Sequence, residues 1–133
     1  MAPRLVHLGI GVSDAAGSGE LLSLVATALA RLTEAGPVEV AALATIEARR
    51  NHPAVSALGA HLRMPVTVYS AAVLEAETPR LLNPSETVFL RTGCHGVAEA
   101  AALASAGVQG RLVLGKIKSA CATVAAACKD ELF

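Results

Sequence analysis

Apolar residues along this chain alternate between short continuous runs and stretches in which they recur every three or four positions. The continuous runs predict buried strands, and the helical spacing predicts amphipathic helices between them. In the first half of the chain the expected elements are a strand over 5–12, a helix from an N-cap at Ser18 to the Gly36-Pro37 break, a strand over 38–45, a helix from Pro53 to Met64-Pro65, and a strand over 66–70.

The second half of the chain is less regular. The expected elements are a short helix and a Pro-broken loop over 71–86, an extended segment over 87–90, a turn, a helix that ends at Gly107, and strands over 111–118 and 122–127. Only three residues separate the last two strands, so we expect an antiparallel hairpin there. The whole pattern predicts one compact three-layer α/β domain over residues 1–133, with a largely parallel, mixed sheet and helices on both faces.

Composition narrows the class of protein. Hydrophobic residues make up 53% of the 133 positions, which suits a packed core and not a disordered chain. Only 2% of the residues are aromatic, and the 11 basic and 11 acidic side chains cancel, so a nucleic-acid partner is not expected. An odd number of cysteines, no signal-like segment and no apolar run of about 18 residues predict a reduced, cytoplasmic protein without a membrane partner. The roles of the cysteines stay open (Cys94, Cys121 and Cys128).

Two glycines near the end of the first strand are a weak candidate for a nucleotide site. Gly9 and Gly11 resemble the start of a dinucleotide-binding fingerprint, but Asp14 stands where that fingerprint needs a third glycine. We therefore prefer a tight exit from strand to loop, and a Rossmann enzyme is disfavoured.

The segment Thr45–His52 follows the second predicted strand and is rich in polar side chains. Glu47, Arg49 and His52 place a carboxylate, a guanidinium and an imidazole at the carboxyl end of that strand. Arginine pairs with carboxylates through two parallel hydrogen bonds, so an acidic ligand would suit this segment. A solvated loop that caps the next helix through Asn51 or His52 is an equally favoured interpretation.

A turn of small residues over Thr92–Gly96 carries the neighbours Cys94 and His95 and leads into an Ala-rich helix. A Cys–His pair can act as nucleophile and base, but sequence neighbours seldom point at each other. We prefer His95 as a single ligand or hydrogen-bond donor near a helix N-terminus, and Cys94 as a packing residue. Glu99 lies in the first turn of the helix.

Lys116 and Lys118 lie two residues apart on a predicted strand and therefore point to the same face. Two ammonium groups on one face could bind carboxylates. The alternative is an edge strand that lysine protects against aggregation.

Taken together, these segments resemble the CobE family and the C-terminal domain of CbiG proteins, both of cobalamin biosynthesis. The resemblance covers nearly the whole chain, and its most specific part is Val97–Leu103. The matching segments are Gly9-Ile-Gly11, Ala44-Thr45-Ile46 followed by Glu47, Gly93, Gly96–Leu103, Lys116-Ile-Lys118-Ser119 and Ala122–Ala125.

The chain also departs from the family pattern. Val12 and Ser13 replace a common Cys and Arg, Arg49 replaces a Lys, and Asn51 and His52 replace an acidic pair. These departures weaken any transfer of the hydrolytic chemistry of the bifunctional proteins, which resembles the opening of a lactone of a cobalt-precorrin. The chain resembles the stand-alone CobE type.

The resemblance implies a cytoplasmic protein that binds a corrin-ring precursor, a polycarboxylate tetrapyrrole of precorrin type, as a carrier or accessory factor with no intrinsic cofactor. The implied ligand-binding residues are Gly11, Ser13, Thr45, Glu47, Arg49, Gly93, Cys94, His95, Gly96, Lys116 and Lys118. His95 is also a weak candidate for contact with the cobalt of the ligand.

Two alternatives stay open. The protein could be a hydrolase-like or ring-modifying enzyme that uses His95, Glu47 or Glu99 as acid or base. It could also be a subunit that docks on another corrin-pathway enzyme. Homo-oligomerisation stays open in each case, as does the identity of the corrin intermediate.

Overall fold

The computed structural model describes residues 2–129; Met1 and residues 130–133 of the expected domain lie outside the described residues. The strands are β1 (Arg4–Val12), β2 (Val38–Ile46), β3 (Val66–Tyr69), β4 (Gly110–Lys118) and β5 (Ala122–Lys129). The helices are α1 (Ser18–Thr33), α2 (Pro53–Leu62), α3 (Ala71–Glu75), α4 (Glu86–Thr92) and α5 (Val97–Ala106), with 3-10 turns at Glu47–Arg49 and Thr78–Arg80.

The five strands form one mixed sheet in the order β3-β2-β1-β5-β4. β1 and β3 are both parallel to β2, whereas β5 is antiparallel to β1 and to β4. It follows that β1, β2, β3 and β4 all run in one direction and that β5 alone runs the other way. The expected α/β domain with a mixed sheet and a terminal hairpin is confirmed.

Alternate residues of β1 serve the two faces of the sheet. Val6, Leu8, Ile10 and Val12 are buried in the core cluster that also contains the inner faces of α1 and α2. The intervening positions meet α5 on the opposite face, where the His7 ring contacts Ser105 through Nδ1 and Oγ, 2.8 Å apart. The helices therefore cover both faces, as the sequence predicts. Within residues 2–129, no helix is both long and apolar enough to cross a bilayer.

The two glycines of β1 do not form a strand exit, because both lie inside the strand. A Cβ on Gly9 would stand 1.9 Å from the carbonyl oxygen of Ala98, so only glycine lets α5 pack this closely on the sheet. Gly11 lies beside Val97 at the start of the same helix. The expectation of a tight exit is wrong: the glycines provide a contact surface for a helix.

The expected extended segment over 87–90 is also wrong, because these residues belong to α4. The Ser85 hydroxyl accepts a hydrogen bond from the Val88 N–H at 3.2 Å, and Gly93 ends the helix in a left-handed conformation (φ 84°). These caps start and stop a helix despite the strand preference of Thr87, Val88 and Phe89. The first helix likewise begins one residue earlier than expected, with Gly17 as its N-cap.

Candidate functional site

A groove of about 260 Å³ opens at the edge of the sheet where β1 and β4 end. Its walls come from the end of β1, the loop after β2, α4, the N-terminus of α5 and the turn between β4 and β5. α5 runs opposite to β1, since Val97 lies beside Gly11 and Ser105 beside His7. The N-terminus of α5 and the carboxyl ends of four strands therefore share one edge, where open α/β proteins place ligands.

Four cationic side chains line this groove: Arg49, Arg91, Lys116 and Lys118. None of the residues described as lining it is Asp or Glu. Within residues 2–129, Arg49 alone among the four forms an ion pair, and its partner is the exposed Asp14. A chain with no net charge thus concentrates positive charge in one concave surface, which attracts anionic ligands.

The N-terminus of α5 adds to this positive potential. Gly96 is the N-cap and supplies no capping side chain, and Gly96, Val97 and Ala98 all line the groove. The first N–H groups of a helix carry partial positive charge and attract anions. In contrast, side chains of His52 and Ser85 cap α2 and α4.

His52, and not Asn51, is the N-cap of α2, which confirms the expected helix cap in this segment. Its Nδ1 accepts a hydrogen bond from the Ala54 N–H at 3.1 Å, so Nε2 carries the proton and donates to the Ser13 carbonyl at 2.9 Å. His52 thereby joins the loop after β1 to the start of α2. The His52 N–H also donates to the Arg49 carbonyl at 3.1 Å, so His52 contacts two groove residues, Ser13 and Arg49, without lining the groove itself.

Glu47 and Thr45 lie next to the groove. Glu47 lines a separate, open depression of about 490 Å³, which Asp14, Arg50 and Asn51 also line and which meets the groove at Arg49. Thr45 is completely buried, and its hydroxyl donates to the Ile10 carbonyl at 2.7 Å. Thr45 therefore supports the ends of two strands from within the core.

The Gly93–His95 part of the turn is not among the segments that line the groove. Cys94 is completely buried, and its N–H donates to the Thr92 hydroxyl at 3.2 Å. The Gly93 N–H donates to the Phe89 carbonyl at 2.9 Å, and the His95 N–H donates to Glu75 Oε1 at 3.0 Å. These three N–H groups, expected to face a ligand, have partners within the protein.

The His95 ring lies between two carboxylates. Its Nδ1 is 2.9 Å from both Glu75 oxygens, its Nε2 is 3.1 Å from Glu86 Oε1, and the ring stacks on Phe89 with centroids 4.4 Å apart. The hydrogen bond to Glu75 is the main cause that raises the pKa of His95, and the hydrogen bond to Glu86 raises it to a smaller extent. The bond between His95 and Glu75 also lowers the pKa of Glu75. This geometry suits an imidazolium that donates from both nitrogens, which leaves neither nitrogen for a metal. Residues 2–129 contain no cluster of three or more His, Cys, Asp or Glu side chains suited to a metal ion.

Glu99 is 1% exposed and lies behind the groove wall. Its Oε1 accepts from the N–H groups of Leu82 and Asn83 at 3.0 and 2.9 Å, and its Oε2 accepts from Asn83 Nδ2 and the Lys116 N–H at 2.7 and 2.9 Å. Burial raises the pKa of Glu99, but the hydrogen bonds from Lys116, Asn83 and Leu82 together outweigh burial and hold the pKa below its ordinary value. Glu99 is therefore an ionised carboxylate with all its interactions inside the protein.

The structure brings six of the candidate residues to the groove: Gly11, Ser13, Arg49, Gly96, Lys116 and Lys118. Arg91 is a groove residue that sequence reasoning missed. It lies three positions after Val88, another lining residue, so both occupy one face of α4. The capping sequence at Ser85 and Gly93 is the signal that would have identified this helix and its cationic face.

The fold and groove define a small α/β protein with an anion-attracting surface at the carboxyl edge of its sheet. The sequence model of the family described as "Cobalamin synthesis G C-terminus" matches residues 6–127. The chain belongs to this family, as its resemblance predicts, and is a protein of the cobalamin biosynthesis pathway.

Its similarity to individual proteins agrees with this assignment. The chain is 46% identical over 120 residues to "Protein CobE" of Sinorhizobium sp, a match that covers 90% of this chain and 77% of the relative. A crystal structure of CobE superposes with a TM-score of 0.84 at 36% identity, over 96% of this chain and 92% of the other. The chain is also 29% identical to "Cobalt-precorrin-5A hydrolase" of Priestia megaterium over 94% of its own length but 32% of that protein.

Proposed function

We propose that this protein binds a corrin-ring precursor, a tetrapyrrole of precorrin type, as a carrier or accessory factor of the cobalamin pathway. The observation that carries the proposal is the groove itself, with four cationic side chains and no carboxylate among its lining residues. Precursors of the corrin ring carry several acetate and propionate carboxylates. Charge-assisted hydrogen bonds from arginine and lysine to such groups are about twice as strong as hydrogen bonds between neutral groups.

The lining of the groove also offers small and apolar residues for contact with a ring. Gly11, Val97 and Ala98 are among them, together with the four cationic side chains. We expect the apolar edge of the ring to contact these residues while its carboxylates pair with the cations. The N-terminus of α5 would then face one of the carboxylates.

The placement of the acid and base candidates favours binding over catalysis. Neither His95 nor Glu99 lines the groove, and both are engaged in hydrogen bonds within the protein. No imidazole or carboxylate is found among the described lining residues, so the groove offers neither side chain for proton transfer. A carrier needs only the cations.

One observation favours a hydrolase as the second candidate. Glu47 lines the open depression that meets the groove at Arg49, and a ligand that extends past Arg49 would reach its carboxylate. Slow conversion of a precorrin by the protein alone, abolished by Glu47→Gln with binding retained, would establish this activity. Unaltered substrate after prolonged incubation would dismiss it.

Binding is tested by titrating the protein with a stable polycarboxylate tetrapyrrole such as uroporphyrin and following its absorbance. We expect Arg91→Gln and Lys116→Gln each to weaken binding by about tenfold, as the loss of one charge-assisted contact does. Arg31→Gln is the matched control, because Arg31 is exposed in the last turn of α1, away from the groove. Absence of binding by the wild type, or equal losses in groove and control variants, would refute the proposal.

A further inference from the structure

We infer that Glu99 is a positioning residue of the groove: it holds the β4 wall and the entry to α4 in place and so sets the spacing of Lys116 and Arg91. The inference rests on the proposed function. It assigns Glu99 a role in ligand recognition without contact to the ligand, in place of a role as acid or base.

On the β4 side, Glu99 accepts the N–H of a residue in a β-bulge. Leu114 pairs with Ala126 and Ile117 pairs with Val124, so Gly115 and Lys116 together face one residue of β5. A bulge displaces backbone groups from the ladder and redirects side chains. The Lys116 N–H points to Glu99 Oε2 at 2.9 Å, while the Lys116 side chain lines the groove.

The residue before Lys116 fits this arrangement. A Cβ on Gly115 would stand 3.3 Å from Asn83 Nδ2 and 3.5 Å from Glu99 Oε2. Glycine therefore lets the bulge lie against the carboxylate and its Asn83 partner. The direction of Lys116 is set by a backbone contact with Glu99.

On the α4 side, Glu99 holds the segment that leads into the helix. Leu82 and Asn83 donate their N–H groups to Glu99 Oε1 three and two residues before Ser85, the N-cap of α4. No residue of α4 is fully buried: Val88 packs partly against the core and Phe89 stacks on His95, so the contacts of Glu99 with the preceding segment add to a limited apolar attachment. α4 in turn brings Val88 and Arg91 to the groove.

The charge of Glu99 is essential to this role. Four N–H donors converge on its two oxygens, and no cationic side chain is among them. A glutamine has the same shape, but its amide group would oppose the donors at one of the two positions. Glu99→Gln should therefore loosen the attachment of either β4 or the segment before α4, while all four cationic side chains stay in the protein.

The test is a double-mutant cycle with uroporphyrin as the probe. We expect Glu99→Gln to weaken binding by about tenfold in the wild-type background. In the Arg91→Gln/Lys116→Gln background the additional loss should be below about threefold, because Glu99 acts through these two side chains. Backbone amide hydrogen exchange should become faster on the side where the glutamine NH2 group replaces an acceptor, either at Lys116 or at Leu82 and Asn83. Exchange at Val124 should remain unchanged. Glu34→Gln, at the C-cap of α1, is the matched control.

Asn83→Ala provides a second variant if Glu99→Gln folds poorly, because it removes one of the four donors at an exposed position. It should show a smaller loss of binding with the same dependence on Lys116. The inference would be overturned if Glu99→Gln weakened binding equally in the wild-type and the Arg91→Gln/Lys116→Gln backgrounds. Wild-type affinity of both Glu99→Gln and Asn83→Ala would also overturn it. Failure of the wild-type protein to bind would instead overturn the proposed function on which it rests.

Discussion

The backbone of Gly9 in β1 lies against that of Ala98 in α5. A Cβ on Gly9 would stand 1.9 Å from the Ala98 carbonyl oxygen and 2.5 Å from the Ala102 nitrogen. This close approach places the N-terminus of α5 beside Gly11 at the carboxyl end of β1. One glycine thus sets how near the helix comes to the sheet, and with it one side of the groove.

Replacement of Gly9 by alanine should displace α5. We expect Gly9→Ala to lower the free energy of unfolding by about 3 kcal/mol or more, because the new methyl group meets the rigid backbone of α5 at Ala98 and Ala102. Gly19→Ala is the control: nothing lies within 4 Å of its Cβ position, and it should stabilise α1 by about 0.5–1 kcal/mol. Urea denaturation of both variants measures the difference, and equal stability of the two would contradict the packing argument.

Arg80 should be a major stabiliser of the C-terminal end of α5. Its Nη1 donates to the carbonyls of Gly107 and Gly110 at 3.2 and 2.9 Å, and its Nη2 pairs with Glu77 at 2.6 Å. We expect Arg80→Met to cost about 2 kcal/mol, the usual range for loss of hydrogen bonds from a charged group. Thermal or urea unfolding against Arg31→Met as control measures this cost. If the free energies of unfolding of Arg80→Met and Arg31→Met differ by less than about 0.5 kcal/mol, hydrogen bonds to water replace those of Arg80 in the variant.

The His95 cluster should make stability depend on pH. The raised pKa of His95 means that its contribution is complete below the ordinary value of 6.5 and is lost as pH rises through the raised pKa. The lowered pKa of Glu75 means that its contribution is present above 4.5 and is lost as pH falls through the lowered pKa. Glu86 and the Phe89 ring are the other groups that face the imidazole.

The melting temperature of the wild type should therefore exceed that of His95→Gln most between about pH 4.5 and 6.5, with a smaller difference at about pH 9. His61→Gln, at an exposed position of α2, should show no such dependence. A constant difference between wild type and His95→Gln across this range would show that packing, and not charge, holds the ring.

Binding of a polycarboxylate tetrapyrrole should weaken with ionic strength. The four cationic side chains of the groove attract the carboxylates of the ligand together. Salt weakens this attraction, because at 0.1 M it screens charges that are more than about 10 Å apart. We expect a loss of about tenfold or more between about 0.05 and 0.5 M NaCl. The Lys116→Gln/Lys118→Gln variant should show a shallower dependence. A salt-independent affinity would indicate that the ring, and not its carboxylates, dominates recognition.

Most strands and helices could be predicted because each has a local signal. Continuous apolar runs marked β1, β2 and β3, and Pro53 marked the start of α2. α4 was missed because Thr87, Val88 and Phe89 favour strands, whereas the caps at its two ends decide in favour of a helix. Local preference and capping disagreed there, and capping prevailed.

The candidate site was predictable to the extent that strand ends could be located. Gly11, Arg49, Lys116 and Lys118 follow or end strands that run in one direction, so they meet at one edge. Arg91 was missed together with α4. The directions of Cys94 and His95 depend on Glu75, Glu86 and Thr92, whose proximity no spacing in the chain reveals.

Apart from α4, the sequence by itself determined the order of elements, the single α/β domain and the family, because these depend on periodicity and ordered motifs within short segments. The tertiary structure alone decided which polar groups meet. Glu99 lies 16 residues from Asn83 and 17 from Leu82 and Lys116, yet it accepts hydrogen bonds from all three. The hydrogen bonds of a buried carboxylate depend on how helix and sheet pack, and that packing follows from the whole chain at once.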